Sequence, residues 1–292
     1  MDSVVVLMST YNGENYLQEQ VDSILGQVGV EVYLIVRDDG SKDRTKEILN
    51  SYRFLENVEI IDGSNIGASR SFFELIQVAK FADYYAFADQ DDVWDSDKLS
   101  IAVNKVKNYS NAPCVYSSNT RLVDKYLNLI KKENDNPLTT LESALIKNYC
   151  TGCTVVFNNE LMKELKYYQP EYAVMHDWWV NIVALSLGGK SIYDIEAHMN
   201  YRQHGKNVSG AELSYLNKCI NRALKFKNVR YRRDIMAKEI LRNYEERISP
   251  RNKEILQCFV DNSLKMIFKS NFRSKEMIDT FLFRVCVIFR RI

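Results

Sequence analysis

The residues with the most chemical content in this sequence are acids set too close together to be indifferent to one another. Asp89-Gln90-Asp91-Asp92 puts three carboxylates into four positions, directly after the apolar run 84–88. Like charges at that spacing repel unless a cation sits among them. Hard oxygen donors of this kind suit Mg²⁺ or Mn²⁺, with diphosphate oxygens filling the remaining positions. An acidic surface turn would have the same composition, so the cluster by itself leaves both readings open. A second cluster, Asp38-Asp39-Gly40-Ser41, ends another apolar run, 32–36. A carboxylate there can accept hydrogen bonds from a nucleobase imide or a ribose hydroxyl, and Asp and Ser also serve as helix N-caps. Further along, His176-Asp177-Trp178-Trp179 joins an imidazole, a carboxylate and two indoles. Asp177 there reads as a capping acid at a helix start. His204 stands in a polar, Gly-bearing loop. Cys150 and Cys153 form a C-x-x-C without a second pair at zinc-ligand spacing, and a turn explains them better than metal or redox chemistry.

These groups need a scaffold, and the first hundred residues supply its pattern. Strand-like runs at 4–8, 32–36, 58–61 and 84–88 alternate with helical periodicity near 16–25, 43–52, 69–80 and 97–108. That order predicts an α/β fold with a mainly parallel central sheet and helices on both faces. Polar clusters at strand ends are where such sheets bind ligands. Strands are expected again at 114–118 and 154–157, with helices at 139–147 and 177–187. From about residue 211 the character changes to long, basic, helical segments.

Four segments, Ser9-Thr10-Tyr11-Asn12-Gly13, Asp38-Asp39-Gly40-Ser41, Asn65-Ile66-Gly67 and Asp89-Gln90-Asp91-Asp92-Val93-Trp94, stand in an order and spacing that resembles glycosyltransferase family 2, a group with the GT-A fold. The resemblance covers residues 3–99 most strongly. It implies that Thr10, Tyr11, Asn12, Asn65 and Gln90 line the nucleotide-sugar pocket, that Asp39 holds the base, and that Arg70 contacts the nucleotide. Asp89 and Asp91 would stand for the family's D-x-D, with Asp91 the metal ligand and His204 completing the shell around Mg²⁺ or Mn²⁺. Gly152 and Cys153 resemble the acceptor-site turn. His176-Asp177 resembles the segment carrying the catalytic base, with His176 in place of the usual Glu and Asp177 retained. His176 and Trp178 would then touch the acceptor. The resemblance is greatest to the bacterial rhamnosyltransferase branch. It implies an inverting transfer of L-rhamnose from a dTDP-sugar to a glycan or lipid-linked acceptor in surface polysaccharide synthesis. A UDP-hexose or UDP-N-acetylhexosamine donor is the alternative within the fold. A sugar nucleotidyltransferase and a non-catalytic scaffold are the alternatives outside it. The nucleotidyltransferase needs a Gly-rich basic phosphate loop that residues 9–13 do not supply.

The expected organisation is a nucleotide-sugar half at 1–105, an acceptor half at 106–210 and a basic helical extension at 211–292. Residues 1–204 carry 19 Lys and Arg against 29 Asp and Glu, whereas 205–292 carry 20 against 9. A basic tail on an acidic body fits an anionic surface such as a membrane, a partner, or a solvated helical region. The last segment, 281–292, mixes Phe, Leu, Val and Ile with Arg, and reads either as bilayer-facing or as packed on the body. No stretch reaches the roughly 18–20 apolar residues of a membrane span, so the expectation is a cytoplasmic protein, peripheral at the inner face of the membrane. A homodimer is compatible with the sequence, and a nucleic-acid partner is not expected.

Overall fold

A computed structural model describes residues 1–172, 175–204 and 232–289. Residues 205–231, which include the start of the expected basic extension, lie outside the described residues.

The sheet begins as the sequence pattern requires. β1 (Ser3–Thr10), β2 (Glu31–Asp38), β3 (Val58–Asp62) and β4 (Tyr84–Ala88) are parallel, in the order β3-β2-β1-β4. Right-handed crossovers require helices between them, and α1 (Leu17–Leu25), α2 (Thr45–Asn50) and α3 (Ala68–Val78) fill that role. The run in β1 is continuously apolar because both faces are covered. Val5 and Leu7 pack into one core with α3, while Val4, Val6 and Met8 pack into another with α1 and α4 (Lys98–Val106).

Beyond β4 the sheet adds antiparallel pairs and curls. β5 (Val93–Trp94), β6 (Cys114–Val123), β7 (Leu129–Lys132), β8 (Val156–Asn158) and β9 (Lys190–Arg202) complete a nine-stranded sheet ordered β3-β2-β1-β4-β8-β6-β9-β5, with β7 on β6. The expected nucleotide and acceptor halves therefore share one continuous sheet through β4, β8 and β6. Helices α5 (Leu141–Ile146), α6 (Asn159–Tyr167) and α7 (His176–Ser186) cover the α3 face.

The C-terminal helices α8 (Arg233–Tyr244), α9 (Pro250–Val260), α10 (Lys265–Phe268) and α11 (Met277–Ile288) join that same core. Met236, Ile240, Leu256, Phe259, Phe272, Phe283 and Val287 are all buried with Trp179 and Val180 of α7. Among the described residues, no helix is long and apolar enough to cross a membrane.

Register is what gathers the chemistry. Thr10 pairs with Asp38, Asp38 with Asp62, and Met8 with Ala88, so four strands end along one edge. β8 runs antiparallel to β4, which brings the turn before it, residues 152–155, to that edge as well. Pairing of Val93 with Asn200 then carries the end of β9 back to Asp91 and Asp92.

Candidate active site

At the nucleotide side the first strand end is locked to the fourth. Thr10 Oγ1 and the Tyr11 amide both donate to Gln90 Oε1, at 2.6 and 2.7 Å, and Gln90 Nε2 donates to the Tyr11 carbonyl at 3.2 Å. A Cβ at Gly13 would lie 2.6 Å from Gln90 Oε1 and 3.0 Å from Thr10 Oγ1, so a side chain here would push the Gln90 amide out of its clamp. Asn12 has a positive φ of 51°. It ties the first loop to the second, donating its amide to Ser41 Oγ at 2.8 Å and accepting the Lys42 amide at 2.9 Å.

Asp39 is buried and heavily engaged. It pairs with Arg37 and accepts the amides of Ile66 and Gly67 at 3.1 and 3.0 Å. Arg37 in turn reaches Glu74 at 2.8 Å and the Ser64 carbonyl at 3.2 Å. Asp39 thus fastens the 64–67 turn in place. Tyr11, Asn65 and Arg70 stand exposed around it, with Arg70 in the first turn of α3.

The acidic centre follows. Ligand atoms of Asp89, Asp92 and Cys153 all lie within 4.8 Å of one another. Asp92 is buried, and its Oδ1 accepts the Arg202 amide at 3.2 Å. Apart from the weakly donating Cys153 thiol beside it, its buried Oδ2 has no hydrogen-bond partner. Burial, then the charges of Asp91 and Asp89, hold Asp92 well above the usual carboxylate range. Burial, with repulsion from Asp91 and Asp177, raises Asp89 to about 7.

Asp91 meets His204, whose Nε2 lies 2.7 Å from Asp91 Oδ2 and whose ring stacks on Tyr16 with centroids 5.1 Å apart. Crowded carboxylates that resist ionising, one buried orphan oxygen and an adjacent imidazole form a donor set that fits a divalent cation.

Across the cleft, Asp177 opens α7. Only 3% of it is exposed, and its Oδ1 accepts the Trp178 amide at 2.6 Å and Asn148 Nδ2 at 3.1 Å. Burial outweighs these bonds and raises Asp177 to about 7. A group poised there is matched to proton abstraction near neutral pH.

Gly152 makes the close approach possible. A Cβ there would sit 3.0 Å from His176 Nε2 and 3.7 Å from Asp177 Oδ2. His176 itself turns inward, stacked on Phe72 at 3.9 Å and edge-on to Phe87 at 4.8 Å, and burial lowers it to about 3. Its ring is neutral and forms part of the floor under Gly152. The expected contact between Trp178 and a sugar meets a different placement. That indole is buried and donates to the Ala144 carbonyl at 2.7 Å, and Trp179 is buried too. Cys153 lies against the acids, and burial followed by Asp92 and Asp89 holds its thiol protonated.

Asn148, Arg37 and Lys98 carry no signal in the sequence, whereas Arg202 stands out only by its place beside His204. Asn148 orients Asp177, and Arg37 pairs with Asp39. Arg202 donates to the carbonyls of Asp91 and Lys125 and pairs with Glu19, and is thereby built into the loop that carries the acids. Lys98 is buried beside Asp92 and Cys153 with Nζ 3.4 Å over the Trp94 ring, and burial lowers it to about 7. Polar residues of these types ordinarily face water, so only the tertiary packing shows their use.

Comparison with known proteins follows the same lines. Residues 5–166 match the model of glycosyl transferase family 2. The dTDP-rhamnosyl transferase RfbG of Shigella flexneri is 31% identical over 224 residues, 71% of this chain and 75% of its own. The UDP-Glc:alpha-D-GlcNAc-diphosphoundecaprenol beta-1,3-glucosyltransferase WfaP of Escherichia coli is 24% identical over 220 residues, 74% of this chain and 83% of its own. Among solved structures, S. aureus TarS 1–349 in complex with UDP-GlcNAc superposes with a TM-score of 0.57 at 18% identity. The match covers 99% of this chain and 91% of that one. The mannosyltransferase PcManGT from Pyrobaculum calidifontis, in complex with GDP-Man and Mn²⁺, gives 0.58 at 17% identity, covering 87% and 68%. These likenesses are to the GT-A fold.

Proposed function

Because this chain belongs to glycosyl transferase family 2 and is a glycosyltransferase, we propose that it moves L-rhamnose from dTDP-rhamnose to a glycan acceptor, with inversion, in bacterial surface polysaccharide synthesis. The observation that carries the reading is that Asp89, clustered with Asp92 and Cys153 at one sheet edge, feels the charges of both Asp91 and Asp177, with the Gly152 turn against Asp177. The sugar rests on the likeness to the rhamnosyl transferase. The glucosyltransferase relative supports a UDP-hexose donor as the second reading.

The nucleotide half, 1–105, contributes Thr10, Tyr11, Asn12 and Gln90 around the nucleoside, with Asp39 holding the 64–67 turn against the base and Arg70 and Asn65 at the rim. Asp91, with Asp89 and His204, would hold Mg²⁺ or Mn²⁺. Bound there, the cation neutralises charge on the departing nucleoside diphosphate. The acceptor half, 106–210, supplies Asp177, whose carboxylate takes the proton from the attacking hydroxyl while Asn148 and the Trp178 amide hold it in place. His176 keeps Gly152 and Asp177 in register as packing.

Calorimetric titration with dTDP-rhamnose and UDP-glucose, each with Mn²⁺, tests the donor. Tighter binding of dTDP-rhamnose supports the reading, and tighter binding of UDP-glucose replaces it with the second.

A further inference from the structure

The last helix, α11, is mostly apolar, yet one side of it is left exposed. Asp279, Phe283 and Val287 face inward, with Asp279 paired to Lys147 at 2.9 Å, which fixes the helix to the body. On the outer side, Met277, Phe281, Arg284 and Ile288 fall within about 60° of one another at 100° per residue. Met277, Phe281 and Ile288, together with Phe289, Leu264 and Phe268, are 58% to 88% exposed. An exposed apolar patch of this kind marks a contact surface.

Charge selects what the patch contacts. Residues 262–292 carry seven Lys and Arg against two acids, Glu276 and Asp279, and Asp279 is buried on the inner side. Lys265, Arg273 and Lys275 are exposed in the same stretch of chain as these side chains. A second copy of this chain would bring like charges face to face, whereas anionic headgroups complement them and apolar tips enter the acyl boundary beneath.

Position points the same way. The outer stripe begins at Met277, the residue after Glu276. Lys275 and Glu276 line a cavity of about 140 Å³ with Glu133, Asp135, Lys147 and Asn148. Asn148 is also the partner of Asp177, so the cavity lies between this segment and the base.

We propose that the outer face of α10 and α11 seats on an anionic lipid surface, setting the mouth of this cavity at the headgroup level. Such seating is independent of the donor, since lipid binding needs no nucleotide-sugar. The test is co-sedimentation of the full chain with vesicles of phosphatidylcholine alone and of phosphatidylcholine mixed with phosphatidylglycerol. The intact protein should pellet with the mixed vesicles only, less so at high salt. Phe268→Ser with Phe281→Ser, and separately Lys265→Glu with Arg273→Glu, should each weaken pelleting about tenfold or more. Circular dichroism and donor hydrolysis should stay unchanged in the Phe268→Ser, Phe281→Ser protein, which separates lost docking from lost folding. The proposal is overturned if mixed vesicles do not pellet the intact protein or if both variant pairs bind as it does. It is equally overturned if sedimentation velocity shows a dimer that the serine pair dissolves, because the face then joins two copies.

Discussion

Replacing Asp177 by asparagine should abolish transfer and, at the same time, change how stability depends on pH. Asp177 is raised from 3.8 to about 7 by burial. Between those values the folded chain holds a proton that the unfolded chain has released, so wild-type stability falls as pH rises from about 4 to about 7 and levels off above it. Every tenfold gain in proton affinity on folding is worth about 1.4 kcal/mol, so ionised Asp177 costs the fold about 4 kcal/mol above neutrality. Asparagine does not ionise and escapes that cost. Its oxygen can keep the Asn148 and Trp178 donors, but its NH₂ must then face the Gly152 amide, which also donates to Asp177, and this costs about 1–3 kcal/mol at every pH. Part of the change passes through Asp89, whose pKa the Asp177 charge helps to raise. The Asn protein should therefore be the less stable of the two at about pH 5, and should gain on wild type by up to about 1.4 kcal/mol per pH unit toward neutrality. Urea unfolding of both proteins across that range, without added metal, measures the difference directly. If the two stabilities stay parallel, Asp177 is not held protonated by burial, and the case for a poised base collapses.

Other consequences can be checked singly. Activity should climb with pH through about 7 as Asp177 ionises, and a profile already flat well below neutrality would mean that another group takes the proton. Asp91→Ala should remove Mn²⁺-dependent donor binding, seen as a lost thermal shift, while leaving the far-ultraviolet spectrum intact. Gly13→Ala forces a Cβ to 2.6 Å from Gln90 Oε1. It should lower stability by about 1–3 kcal/mol and raise KM for the donor, and wild-type values for both would show that the Gln90 clamp is slack. Gly152→Ala should depress kcat more than donor affinity, because its Cβ meets His176 and Asp177 and not the nucleotide side.

What the sequence disclosed follows from how each feature is encoded. Strands β1 to β4 were legible because uninterrupted apolar runs end in turn clusters, and burial on both faces demands such runs. β9 is the longest strand, yet Lys190–Arg202 reads Lys-Ser-Ile-Tyr-Asp-Ile-Glu-Ala-His-Met-Asn-Tyr-Arg, with polar residues throughout. Its pairing with β6 and β5 makes it a strand, and pairing is a long-range fact. β7 is fully exposed and β5 has two residues, so neither carries a hydrophobic signature. α6 is amphipathic and could have been found from its Leu161, Met162 and Leu165 spacing.

At the site, the acids announced themselves through repulsion that only a cation or protonation relieves. The roles of Lys98 and Asn148 did not, since both are surface residue types put to use inside. The inward turn of His176 and the burial of both Trp178 and Trp179 depend on α3 and α5 packing against α7, which no local pattern encodes.

The central claim is that this cleft takes the sugar off a nucleotide-sugar with a divalent cation held by Asp91. Its most direct test is nucleoside diphosphate release from a panel of dTDP- and UDP-sugars with Mn²⁺, for wild type beside Asp91→Ala and Asp177→Asn. We expect release from at least one donor by wild type, abolished by chelator and by Asp91→Ala, and no acceptor-stimulated release by Asp177→Asn. Failure of every donor to react, or release that both variants sustain at the wild-type rate, would contradict it.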